Sequence, residues 1–241
     1  QNGYRLLSAF DDPDVIAGQG TVGLEIAAAF TPDVVLVPIG GGGLASGVAL
    51  ALKSQGVRII GAQVEGVDAM ARALRGDTTL RDPVATLADG VRVKEPGLLT
   101  RALLHDLLDD MVIVREAELR ETLVRLALEE HVIAEGAGAL AMAAGRRVAG
   151  KRKCAVVSGG NLDAGVLARL LSDVRPRPPR KPRQRDREPA LATSPCEAGG
   201  GREGVLLARM AKAPLPNPPL RFAKGREQTK ARTHILEMVP A

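Results

Sequence analysis

Four consecutive glycines, Gly40-Gly41-Gly42-Gly43, follow the apolar run Val34-Val35-Leu36-Val37-Pro38-Ile39 and precede a stretch of helical composition from Leu44 to Gln55. Without a Cβ such a backbone bends sharply and comes close to a ligand. A helix starting there presents unpaired N–H groups and the positive end of its dipole. Together these features suit a phosphate dianion held by main chain alone. A plain strand-to-helix turn is satisfied by one or two glycines, and four adjacent ones add an entropic cost that the turn does not require. A second glycine-rich segment, Ser158-Gly159-Gly160-Asn161, follows the apolar run Cys154-Ala155-Val156-Val157, and Glu65 closes a third run, Val57 to Val64. The spacing Gly40-x-Gly42-x-x-Ala45 also meets a relaxed dinucleotide fingerprint, with Glu65 placed for a ribose hydroxyl. A nucleotide-binding Rossmann-like module is therefore the alternative, although it leaves Ser158 to Asn161 without a role.

These segments must be held by a scaffold. The runs Val34 to Ile39, Val57 to Val64, Met111 to Val114 and Cys154 to Val157 read as short buried strands. Between the last two, Leu119, Leu123, Leu126 and Val132 mark an apolar helix face. Ala137 to Ala144 reads as a helix of small residues that packs closely. Strands alternating with helices imply an α/β fold with a doubly wound parallel sheet. In such sheets ligands bind beyond the carboxyl ends of the strands. The glycine run, Glu65 and Ser158 all fall there.

The 241 residues are 45% hydrophobic and 25% charged, as in ordinary globular proteins. No run approaches the ~20 apolar residues of a membrane-spanning helix. No apolar signal core follows Gln1-Asn2-Gly3-Tyr4-Arg5, so a cytoplasmic protein is expected. Aromatics are 2% and Trp is absent, which argues against a base-stacking nucleic-acid binder. Cys154 and Cys196 are too few for a disulfide framework or a four-cysteine zinc site. His105 and His131 fall on expected helices without a partner at ligand spacing, and His234 carries no signal. The formal charge of +5 is unevenly spread. From Arg175 onward there are fifteen Lys or Arg against six Asp or Glu, and eleven of the sixteen prolines. Like charges and proline oppose a packed core. Residues 1–174 are thus expected to form the folded body and residues 175–241 a disordered, basic, Pro- and Gly-rich tail.

Five motifs in order carry a family resemblance. Phe10-Asp11-Asp12-Pro13-Asp14-Val15-Ile16-Ala17-Gly18-Gln19-Gly20-Thr21 comes first, then Pro38-Ile39 with Gly40 to Gly43 and Leu44. Thr86-Leu87-Ala88-Asp89-Gly90-Val91 with Lys94, Pro96 and Gly97 follows, then Glu135-Gly136-Ala137-Gly138-Ala139 and Ser158-Gly159-Gly160-Asn161. This series resembles threonine/serine dehydratases of the pyridoxal-phosphate fold type II group, from about Phe10 to Leu171, in the C-terminal portion of their catalytic chain. Serine racemases share much of the pattern. The resemblance implies pyridoxal 5'-phosphate as cofactor, an amino-acid substrate, and elimination of the β-hydroxyl of L-threonine or L-serine to give a 2-oxo acid and ammonia. It also implies a homo-oligomer when the chain is intact, with no membrane or nucleic-acid partner. The N–H groups of Gly40, Gly41, Gly42, Gly43 and Leu44 would hold the cofactor phosphate. Ser158 would bond the pyridine nitrogen, Glu135 would sit near the ring face, and Gly90 would line the pocket. A neutral hydroxyl on that nitrogen leaves the ring a milder electron sink, which suits β-elimination.

The family's Schiff-base lysine lies in a Ser-Phe-Lys-x-Arg-Gly motif upstream of the phosphate loop, and this sequence has no such motif. Before residue 175 the lysines are Lys53, Lys94, Lys151 and Lys153, and each reads as a solvated surface residue. No catalytic residue is therefore assigned, and the chain is expected to be a fragment inactive by itself. The resemblance also puts a cation near Glu65 and the Ala69 carbonyl. Its next acidic ligand falls on Ala71, which has no side-chain oxygen, so no metal is expected.

Overall fold

The computed structural model describes residues 7–173 together with the strands Val205–Leu207 and His234–Met238. Parallel strands β1 (Val34–Pro38), β2 (Arg58–Val64), β3 (Asp110–Val114) and β4 (Lys153–Val157) form the body of the sheet, in the order β3-β2-β1-β4. They coincide with the four apolar runs. The helices among the described residues are α1 (Pro13–Ala29), α2 (Gly43–Leu52), α3 (Ala69–Leu74), α4 (Leu98–Leu107), α5 (Glu116–Glu129), α6 (Gly136–Gly145) and α7 (Ala164–Ser172). Strand alternation explains the double winding. Val34 and Leu36 of β1 enter one core with α5, α6 and α7. Val35, Val37 and Ile39 enter a second core, on the other face, with α1, α2 and α4.

Local sequence explains several boundaries. Asp12 caps α1 by accepting the N–H groups of Asp14 and Val15, and Pro13 supplies a preset first turn. Helices α1 and α2 cross closely because neither has a side chain at the contact. A Cβ on Gly20 would stand 3.2 Å from the Gly47 carbonyl oxygen. β1 turns outward to β2 and β3 on one side and meets β4 on the other, so the strand order reverses between β1 and β4. The crevice beyond their carboxyl ends is the ligand position of such sheets.

Three expectations need adjustment. Helix α5 stops at Glu129, so Val132 joins the core from the following loop. His131 is not helical; it holds a φ of 56° in that loop. Lys153 is not a solvated surface residue; it opens β4 and is half-buried. In the tail, β5 (Val205–Leu207) and β6 (His234–Met238) are described, with β6 antiparallel to β4 and β5 antiparallel to β6. Strand β6 covers what would otherwise be the open edge of β4, whose unpaired backbone groups attract a further strand. The expectation of a disordered tail otherwise lies outside the described residues. No helix among the described residues is long and apolar enough to cross a membrane.

Candidate active site

The glycine run begins two residues past the end of β1, after Ile39. Gly42 is the cap residue of α2, with φ of 102° and no side-chain hydrogen bond to the helix start. Gly41, Gly42 and Gly43 are buried, and Gly40 and Leu44 half-buried. The N–H groups from Gly40 to Leu44 have no acceptor among the described residues. A helix start that is both buried and uncapped leaves donors unsatisfied unless a ligand accepts from them. The dipole adds to the attraction for an anion.

The glycines also have packing roles. A Cβ on Gly41 would overlap the Phe10 ring, and one on Gly43 would stand 2.9 Å from the Phe10 Cα. At Gly42 it would come within 2.8 Å of both Met70 Cε and Thr100 Cβ. The expectation that four glycines exceed what packing requires is therefore corrected: the loop is clamped between Phe10 and α4, and side chains there do not fit.

Ser158 follows β4 directly. Strands β1 and β4 run parallel with Leu36 opposite Ala155. That pairing ends there, and both segments run on three residues toward the same end of the sheet, to Ile39 and to Ser158. The serine is half-buried, and its hydroxyl has no partner among the described residues. Gly90 sits on the short turn Asp89–Val91, which packs on the glycine loop; a Cβ on Gly40 would stand 3.2 Å from Val91 Cα and 3.6 Å from the Gly90 carbonyl oxygen. Gly90 in turn faces the start of α6, with its Cβ position 3.9 Å from Glu135 Oε1. The Glu135 N–H donates to the Gly159 carbonyl at 3.0 Å, and its carboxylate occupies the space a Gly159 side chain would need. These contacts link Gly40 to Gly90, Gly90 to Glu135 and Glu135 to Gly159, so Gly41, Gly42, Gly43 and Leu44 follow one end of the series and Ser158 adjoins the other. Main-chain donors that suit a dianion, a hydroxyl with no partner among the described residues, and a carboxylate match the chemistry of pyridoxal phosphate along its length. The residues fit the group.

Other candidates lie apart. Glu65 is exposed at the end of β2, on the far side of β1 from Ser158, close enough to Arg115 to help raise its pKa after the larger effect of Glu118. Ala71 offers its N–H to Gln63, not an oxygen to a cation. Among the described residues no group of three or more His, Cys, Asp or Glu could hold a metal ion. Lys53, at the other end of α2 and roughly 15 Å from its start, bonds Asp109 at 2.7 Å. The Lys94 amine bonds Asp82 at 2.6 Å. Lys153 bonds the Gly145 and Val148 carbonyls at the opposite end of β4, roughly 16 Å along the strand from Ser158. Lys151, two residues earlier, precedes that strand end.

Sequence reasoning missed the residues that hold the loops. Buried Gln63 donates to the Ile39 carbonyl at 3.1 Å and accepts from Ala71, fixing the strand end before the glycines. Glu116 accepts from the Thr86 hydroxyl at 2.6 Å and the Leu87 N–H at 2.7 Å, anchoring the loop that carries Gly90. Thr100 donates to the Gly41 carbonyl at 2.7 Å. Its position on the Leu104 face of α4 was the available signal: a polar side chain on a buried helical face requires a partner.

Residues 1–159 match the family model described as "Pyridoxal-phosphate dependent enzyme". A catabolic L-threonine dehydratase of Escherichia coli is 42% identical over 178 residues, covering 70% of this chain and 54% of that protein. An L-threonine ammonia-lyase of Thermotoga maritima is 44% identical over 180 residues, covering 71% of this chain and 45% of its own length. The chain thus spans about half the length of the curated relatives it matches. Among solved structures, a threonine deaminase from T.th. superposes with a TM-score of 0.62 at 38% identity, over 67% of this chain and 63% of that one. A serine racemase from maize gives a TM-score of 0.62 at 33% identity, over 69% and 55%.

Proposed function

The chain belongs to the family of pyridoxal-phosphate-dependent enzymes, and from that premise we propose that its β1–β4 crevice serves the β-elimination of L-threonine, and of L-serine as the smaller analogue, to a 2-oxo acid and ammonia. The reading rests above all on the buried start of α2 behind four glycines, which has no side-chain cap and whose N–H groups have no acceptor among the described residues. Threonine dehydration is favoured over racemisation by the curated threonine enzymes of Escherichia coli and Thermotoga maritima, at 42% and 44% identity; among solved structures a tomato threonine deaminase and the maize serine racemase are equally similar, at 33%.

In this reading Gly40 to Gly43 and Leu44 bind the phosphate through backbone N–H groups. Ser158 hydrogen-bonds the pyridine nitrogen without imposing a proton on it. Gly90 would line the pocket through its backbone, and Glu135, 3.9 Å from the Gly90 Cβ position, would sit near the ring face. The bound cofactor supplies an electron sink for the pair released when the substrate's α proton leaves. That proton needs a basic amine, and the lysines of residues 7–173 are tied elsewhere or lie at the wrong end of the sheet. The chain by itself is therefore expected to bind the cofactor and to leave L-threonine unchanged.

Equilibrium dialysis against pyridoxal phosphate and against NAD tests the assignment. Saturable pyridoxal phosphate binding, weakened in Ser158→Ala, supports it. Heat protection by NAD with none by pyridoxal phosphate favours the nucleotide-binding alternative and refutes it. Release of 2-oxobutanoate from L-threonine by the purified chain would refute the expected inactivity.

A further inference from the structure

Helix α4 presents an apolar buried face with one polar member. Thr100 is fully buried, and its hydroxyl donates to the Gly41 carbonyl oxygen at 2.7 Å. A helical threonine commonly satisfies its hydroxyl on the carbonyl four residues back. Thr122 of α5 does so here, donating to the Glu118 carbonyl at 2.7 Å. Thr100 instead reaches out of its helix to the glycine loop. Its own N–H donates to Asp11 at 3.0 Å, as does the Leu98 N–H at 3.0 Å. A carboxylate from 89 residues earlier thus caps α4, which has no side-chain cap from Gly97. The Asp11 N–H is in turn held by Ser8 at 2.9 Å.

A peptide unit is planar, and in a trans unit the C=O and N–H point in opposite directions. The described residues contain no cis peptide bond. A grip on the Gly41 oxygen from α4 therefore turns the Gly42 N–H to the side of the loop away from α4. Between two glycines that orientation has little intrinsic preference, so something outside the loop must set it.

We propose that Thr100 is a positioning residue for the anion cradle, fixing the Gly41–Gly42 peptide so that the Gly42 N–H becomes a phosphate donor, with Asp11 fixing Thr100 in turn. The proposal rests on the cradle reading above. Its content is that one side-chain hydroxyl, which does not touch the cofactor, sets part of the affinity for the cofactor's phosphate.

The test compares the full chain with Thr100→Val, which keeps the shape and removes the hydroxyl, and Thr100→Ser, which restores it. Binding of inorganic phosphate and of pyridoxal phosphate is measured by equilibrium dialysis, and the Gly42 amide resonance is followed during phosphate addition. Thr100→Val is expected to weaken phosphate binding about tenfold or more, the loss of one hydrogen bond to a charged group. Thr100→Ser is expected to stay within about twofold. The Gly42 amide should shift with phosphate in the unsubstituted chain and in Thr100→Ser, but not in Thr100→Val. A merely structural threonine would move the melting temperature and leave these readouts alike. Unchanged phosphate affinity in Thr100→Val, or an unchanged Gly42 response, overturns the proposal. If the unsubstituted chain binds neither phosphate nor pyridoxal phosphate, the cradle reading itself falls and takes the proposal with it. Should Thr100→Val not fold, Asp11→Asn carries the same test from outside the core: a weaker phosphate affinity supports the relay, and an unchanged one overturns it.

Discussion

Replacing Gly42 by alanine separates backbone strain from packing. Gly42 holds φ of 102°, and an added Cβ would stand 2.8 Å from Met70 Cε, 2.8 Å from Thr100 Cβ and 3.1 Å from Leu104 Cδ1. The Met70 end can swing aside, but Thr100 Cβ is attached to the backbone of α4 and cannot. Gly56 is the internal control, because it holds φ of 75° with nothing within 4 Å of its Cβ position. A non-glycine residue at positive φ costs about 1–2 kcal/mol, and overpacking a filled site adds about 1–3 kcal/mol. Gly56→Ala is therefore expected to lose about 1–2 kcal/mol and Gly42→Ala about 2–5 kcal/mol. For a chain of this size each kcal/mol moves the melting temperature by about 2–4 °C. Calorimetry should place Gly42→Ala several degrees below Gly56→Ala, and urea titration should give the same order. Phosphate affinity should fall in Gly42→Ala alone. Equal destabilisation by the two substitutions would refute the packed loop and the argument that its glycines are required sterically.

Three further outcomes are expected. Glu116→Ala removes the acceptor for Thr86 and Leu87. Its cost in stability should be about 0.5–1.5 kcal/mol, while pyridoxal phosphate affinity falls more than inorganic phosphate affinity, because Glu116 holds Thr86 and Leu87 and does not itself touch the glycine loop. Gly138→Ala places a Cβ 2.5 Å from the Gly159 carbonyl oxygen, whereas Gly159→Ala meets first the flexible end of Glu135; urea titration should find the former the more destabilising, and dialysis should find pyridoxal phosphate binding weakened in both. Glu118 is held down to about 2, from an ordinary 4.5, chiefly by the Arg115 guanidinium and also by the Arg115 N–H and by Arg147. A carboxylate lowered on folding stabilises above its unfolded value and loses that contribution as pH falls from about 4.5 to about 2. Melting curves of the unsubstituted chain and Glu118→Gln should accordingly converge across that interval.

The sheet was legible because its strands are continuous apolar runs, which is the pattern of strands buried on both faces. Glycines after β1 and a serine after β4 were legible for the same reason, since strand ends define where a ligand sits. What the sequence did not reveal is what holds those loops still. Asp11 and Thr100 are 89 residues apart, and Thr86 and Glu116 are 30 apart; neither pair has a local periodicity that would bring it to notice. His131 was misplaced because the charged face of α5 runs on into residues with helical composition, whereas the chain leaves the helix at Glu130 and bends back toward Glu135. Lys94 and Lys151 are exposed, as read, whereas Lys53 is half-buried against Asp109 and Lys153 is half-buried on the Gly145 carbonyl.

The packing around the glycines changes the physical account of the cradle. A freely flexible tetraglycine would have to be ordered by its ligand, at about 1–2 kcal/mol per residue. In this fold Phe10 closes over Gly41 and Gly43, Met70, Thr100 and Leu104 crowd Gly42, and Gln63 fixes the Ile39 carbonyl. The ordering is thus completed when α1, α4 and β1 assemble, before any anion arrives. Glycine is needed because its small size lets neighbouring elements lock the backbone with its N–H groups outward, and a preordered set of donors retains more of its interaction energy as affinity. On this account, substitutions behind the loop should weaken phosphate binding without touching the ligand, and substitutions that merely stiffen the loop should not strengthen it.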